Sequence, residues 1–274
     1  MANRDLNRDE MLAALDWYRA VGVDIAVREE PVDRFAASAI APARTQRTVP
    51  PPGLPQQVPA SPPPAAPVVT TSDADPETAR ELAAKAQTLD ALRDTLEAFE
   101  GCGLKLRATN LVFADGNPQA DIMLVGEAPG RDEDLQGKPF VGRSGQLLDR
   151  MLGAIGLDRT TVYIANTVPW RPPGNRTPAP SEVAVCLPFL YRQIELVAPK
   201  VLVALGGASA STLFETNTGI TRLRGQWRDL TINGHTMRAV ATLHPAYLLR
   251  QPAAKKLAWQ DLLAVQAELE ASSP

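Results

Sequence analysis

Four short apolar runs constrain the fold of this chain more than anything else in it: residues 121–126 (DIMLVG), 161–166 (TVYIAN), 200–205 (KVLVAL) and 237–243 (MRAVATL). Between and after them lie longer stretches whose apolar side chains recur at helical spacing, near residues 144–155, 180–197, 207–214 and 254–270. Runs that are apolar without alternation must be covered on both faces, and helices that return the chain to the same edge make the strands parallel. The expected architecture is a three-layer α/β/α sandwich over residues 76–274. Pro76 suits the first turn of a helix running to about residue 99. No internal repeat is apparent.

Upstream the chain changes character. Residues 5–21 read as one amphipathic helix, with Leu6, Met11, Leu12, Leu15 and Tyr18 on a common face. Residues 42–71 hold ten prolines and no acids, and so cannot form a core. Three parts follow: a helical arm at 1–41, a disordered Pro/Ala-rich linker at 42–75, and the compact domain at 76–274. A helix beyond a long linker fits a docking arm, and equally a tail with no partner.

Composition narrows the function classes. Net charge is −3, which argues against a general polyanion binder, yet residues 220–260 carry seven Lys or Arg against Asp229 alone. That local excess is compatible with a nucleic-acid partner. No window approaches the ~20 apolar residues of a membrane span, and the N-terminus lacks an apolar signal-peptide core. Two cysteines, Cys102 and Cys186, are too few for a disulfide scaffold and suit a reducing cytosol. A cytoplasmic protein, monomeric and off the membrane, is expected.

The chemistry gathers where strands end. The first run leads into a Gly/Pro-rich loop carrying Glu127, Asp132, Glu133, Asp134 and Phe140; the second ends at Asn166 and continues into WRPPGNRTP; the last ends at His244, followed by PAYLLR. In an open parallel sheet such carboxyl ends meet in one crevice. An Asn amide reads both a donor and an acceptor on a heterocycle edge, a His donates to a developing anion, and a Phe offers a stacking face. Each also has a plain alternative: Asn166 as a loop cap, His244 as a turn histidine, Phe140 as core, and the acids of 132–134 as cover for a helix N-terminus.

The segments GEAPGRDEDLQGKPFVGRSGQLL, NTVPWRPPGNRTP and LHPAYLLR closely resemble the three motif regions of type-4 uracil-DNA glycosylases, over about residues 96–266. The resemblance implies a central four-stranded parallel sheet and hydrolysis of the N-glycosidic bond of uracil in DNA, with the base flipped out of the stack. It implies that Glu127 and Ala128 line the uracil pocket, Phe140 stacks on the base and Asn166 reads its edge. His244 would stabilise the leaving uracil at O2, and Glu133 would position the water, with Glu127 as its rival. Asn175 would support the pocket loop, and Leu248 and Arg250 would enter the duplex. A repair or replication protein would be the partner of the arm. The family's [4Fe–4S] cluster uses four cysteines. Here Cys102 and Cys186 occupy two ligand positions, while Phe99 and Trp170 stand at the others, so no cofactor is expected. Two other classes remain open: a metal-dependent nucleotide phosphohydrolase built on the acidic loop, and a non-catalytic DNA-binding repair protein derived from the family.

Overall fold

A computed structural model describes residues 75–272; the helical arm and nearly all of the linker lie outside the described residues. The elements run, in chain order, α1 (Pro76–Lys85), α2 (Leu89–Ala98), β1 (Asp115–Gly116), β2 (Ile122–Gly126), α3 (Arg131–Gln136), α4 (Arg143–Gly153), β3 (Val162–Asn166) and α5 (Pro180–Val197). They continue with β4 (Val201–Leu205), α6 (Gly207–Leu213), α7 (Ile220–Leu223), β5 (Arg228–Ile232), β6 (His235–Thr242), α8 (Pro245–Arg250) and α9 (Lys255–Ser272).

The four apolar runs form neighbouring parallel strands in the order β3-β2-β4-β6. Their side chains alternate between two cores. Met123, Val125, Tyr163 and Leu202 pack toward Leu190 and Ile194 of α5, while Ile122, Leu124, Ile164 and Val203 pack toward Leu148 and Leu152 of α4 and Val265 of α9. The three-layer sandwich is thus present. The sheet is wider than four strands, however, because an antiparallel strand closes each edge: β1 against β3 and β5 against β6. Neither has the apolar run of a central strand. β1 is two residues long, and in β5 half-buried positions alternate with exposed ones, as befits a sheet edge. A two-residue turn joins β5 to β6, with Asn233 at φ +50° and Gly234 at φ +84°, the left-handed pair a tight hairpin requires.

The helix expected over residues 76–99 is two helices. Asp75 caps the first by accepting from Glu77 N, and Thr88 caps the second by accepting from Ala91 N at 3.1 Å. The break lets the pair fold over α5 and enclose Phe99, Cys102, Trp170, Cys186 and Phe189 in one apolar cluster. Parallel pairing sets Gly126 beside Asn166 and Leu205 beside Thr242, so four strand ends and their loops open on the same edge.

Candidate active site

A cavity of about 480 Å³ opens at that edge. This is a size suited to one planar heterocycle with part of its backbone. Of the residues singled out in the sequence, Glu127, Ala128, Glu133, Phe140, Asn166, Asn175, His244 and Arg250 all line it.

Asn166 ends β3 nearly enclosed, and its side-chain amide makes no hydrogen bond among the described residues. It does not cap the following loop; its donor and acceptor stay available to a ligand. Gly126 stands opposite, and a Cβ there would strike Asn166 Oδ1 and come within 2.7 Å of the Phe140 ring. Glycine at that place lets the amide and the ring share one wall.

Phe140 sits at φ +54°, a conformation that costs a non-glycine residue ~1–3 kcal/mol and that surrounding contacts must hold. Arg159 supplies those contacts. Its guanidinium donates to the carbonyls of Pro139 and Phe140 while pairing with Asp115 and Asp149. Gly145 completes the grip, because any Cβ there would overlap the Phe140 carbonyl. Local sequence carried no sign of Arg159, which lies far from Phe140 in the chain.

His244 is the N-cap of α8, and its Nδ1 accepts from Ala246 N at 3.1 Å. Burial, with the nearby Arg250 charge, pushes its pKa down to about 4. The ring is therefore neutral near pH 7. With Nδ1 accepting, the proton resides on Nε2, which has no hydrogen-bond partner among the described residues. The ring stands 5.5 Å from Phe140, centroid to centroid.

The two rival carboxylates differ in their contacts. Glu133 is buried in the first turn of α3 and fully engaged: Oε1 accepts from Val141 N (3.0 Å) and Gly142 N (2.8 Å), and Oε2 from Gly130 N (3.2 Å). It ties the two ends of the acidic loop together. Asp134 does similar work, accepting from Thr109 and Asn110. Glu127 differs, for its Oε1 is enclosed without a partner. Burial raises its pKa above the ordinary carboxylate value, opposed by a hydrogen bond from the Thr177 hydroxyl. Glu127 thus keeps one oxygen open beside the cavity, whereas both oxygens of Glu133 are occupied by loop amides.

Asn175, at φ +55°, accepts from Arg171 Nε at 2.7 Å, and Arg176 grips Glu182 through both guanidinium nitrogens, at 2.8 and 2.6 Å. Glu182 also accepts from Ala179 N and so anchors this loop to the start of α5. Leu248 is not at the surface. It is 1% exposed and packs with Leu147, Leu243 and Ala258, because a leucine four residues into α8 faces the core. Sequence reasoning expects this side chain to enter a duplex; here it is packed inward and anchors the helix.

Cys102 and Cys186 bring their sulfurs to 3.8 Å from one another inside the apolar cluster. The space beside them is filled by Phe99 and Trp170, 5% and 2% exposed, with Phe99 tilted against Phe189 at 5.1 Å between ring centroids. Among the described residues no three His, Cys, Asp or Glu side chains converge as metal ligands. Two thiols and a packed aromatic wall do not fit a four-iron cluster, which needs four ligands and the volume these rings occupy.

The description of the uracil DNA glycosylase superfamily matches residues 113–263, which include every strand end and loop of the cavity. The chain belongs to the uracil-DNA glycosylase superfamily. It is 42% identical over 170 residues to a type-4 uracil-DNA glycosylase of Archaeoglobus fulgidus, covering 61% of this chain and 85% of that relative. To the type-4 enzyme of Saccharolobus solfataricus it is 39% identical over 186 residues, covering 66% and 86% respectively. To that of Thermotoga maritima it is 42% identical over 165 residues, covering 60% and 84%. No helix among the described residues is long and apolar enough to cross a membrane.

Proposed function

We propose that this chain removes uracil from DNA by hydrolysing the N-glycosidic bond, leaving an abasic site, as a monofunctional enzyme of base excision repair. The observation that carries the reading is the meeting of a neutral His244 with the unengaged amide of Asn166 and the Phe140 ring in one cavity. These three groups answer three needs: a flat face to stack on, an edge reader that separates uracil from cytosine, and a donor for the leaving base.

As the N1–C1′ bond breaks, its electron pair moves into the uracil ring and negative charge gathers on O2. A fixed Nε2–H donor gains strength as that charge develops, so it lowers the barrier more than it tightens ground-state binding. The sugar becomes electron-poor. Water adds to C1′ and its proton passes to Glu127, whose free Oε1 and raised pKa suit a general base. Ala128 walls the pocket, and Asn175 holds the loop that bears Thr177. Arg250 offers a charge to the DNA backbone. Glu133 positions the loop through its three hydrogen bonds and does not touch water. No cofactor or metal enters these steps. The protein acts as a monomer in the cytosol, where its cysteines stay reduced, and the N-terminal arm recruits a repair or replication partner.

Product identity tests this directly. Mass spectrometry of a uracil-containing oligonucleotide after incubation should show free uracil and a strand that has lost the base and gained one water. A deaminated base, or a cut phosphodiester with the base retained, would overturn the assignment.

A further inference from the structure

We propose that Tyr247, not Leu248, is the side chain that enters the base stack of a duplex when the target nucleotide leaves it; the proposal rests on the uracil-excision reading above. Helix α8 starts at His244 and turns 100° per residue. Ala246 and Arg250, one turn apart, both face the cavity. Leu248 lies on the opposite side and is buried, and Leu249 also packs against the cluster of Leu147 and Leu243. The aromatic side chain of α8 is left outside the packing. Tyr247 is 38% exposed, and its side chain has no hydrogen bond or ion pair among the described residues.

Its backbone is nonetheless fixed. Tyr247 N donates to His244 O at 2.9 Å, and Tyr247 O accepts from Gln251 N at 2.8 Å. A ring on a fixed turn offers a flat face on which a base can stack. Its surroundings fit a nucleic acid, with Arg250, Lys255 and Lys256 following closely in the chain and no acid before Asp261. When a base flips out, the stack is left with a gap one base thick. A side chain that fills it keeps the extruded state populated, and an aromatic ring does so for any flanking base. Because His244 begins the same short helix, insertion of the ring and placement of the leaving-group donor occur as one rigid movement. Tyr247 thereby acts on the duplex and not on the chemistry.

The test compares single-stranded with duplex uracil under single-turnover conditions. Tyr247→Ala should lower the rate on a U·A duplex about tenfold or more, as loss of base–aromatic stacking does, and leave the single-stranded rate within about twofold. Tyr247→Phe and Tyr247→Trp should stay near wild type on both. A 2-aminopurine placed beside the uracil should lose most of its fluorescence rise on binding the Ala variant. Equal loss on both substrates, or no loss on either, would overturn the proposal. If the wild type releases no uracil even from single strands, the excision reading itself fails and the proposal falls with it.

Discussion

A histidine held neutral by burial and by the nearby Arg250 charge has consequences for both rate and stability. His244 donates from Nε2 to the leaving uracil, so His244→Ala should lower kcat by roughly 10²–10³ with little change in KM, as loss of one transition-state donor does. Its titration can be followed separately. In the unfolded chain this side chain gains a proton near pH 6.5; in the folded protein it resists until about pH 4. Between those values the unfolded state binds more protons, so stability is full above pH 6.5 and falls as pH drops toward 4, by about 3 kcal/mol in all. Melting curves of wild type and His244→Gln should converge on acidification; parallel curves would show that the ring is not held neutral. The carboxylates give a second contrast. Glu127→Gln should lower kcat by roughly 10²–10⁴ and spare the melting temperature, whereas Glu133→Gln should lower the melting temperature by loosening three charge-assisted hydrogen bonds worth ~1.5 kcal/mol or more each. Single-turnover rates beside thermal melts separate the two roles, and the opposite pattern would return Glu133 to the water.

At the scale of elements, each site residue depends on a support elsewhere in the chain. Arg159 holds Phe140 in its left-handed conformation, and Arg159→Ala should raise KM for uracil DNA several-fold as the ring leaves its place. Asp261 of α9 accepts from Thr242 at the end of β6 and from Arg224, fixing the strand that delivers His244. Asp261→Ala removes the buried carboxylate shared by Arg224 and Thr242 and should destabilise the protein by ~3 kcal/mol, measured by chemical denaturation. These supports show what the sequence could reveal. Strand ends are legible because an apolar run stops and polar residues begin, which is how Glu127, Asn166 and His244 were found together. Arg159 is not legible, since its partners lie 10 to 44 residues away and nothing local marks them. The adjacent leucines of PAYLLR gave no sign of which faces inward; that follows only from the docking of α8 on α4 and α9.

For the whole molecule, the layered α/β/α order followed from four apolar runs, while the two antiparallel edge strands escaped because short or alternating segments at an edge need no continuous apolar face. The break between α1 and α2 was equally silent, since a threonine cap reads like any helix-interior threonine until the chain turns. Phe99 and Trp170 pack where cluster ligands would stand, so the purified protein should carry less than one iron per chain by metal analysis and melt identically with and without a chelator. Removal of residues 1–74 should spare both melting temperature and activity on short oligonucleotides, because the cavity is built from residues 127–250. The central claim is that this cavity excises uracil through a neutral His244. Its most direct test is incubation in EDTA with an oligonucleotide containing one uracil, followed by alkaline cleavage, for wild type and His244→Ala. A strand break at uracil given by the wild type and reduced at least a hundredfold in the variant is the predicted result. No break by the wild type on single strands, U·G or U·A, or equal cleavage by both proteins, would contradict it.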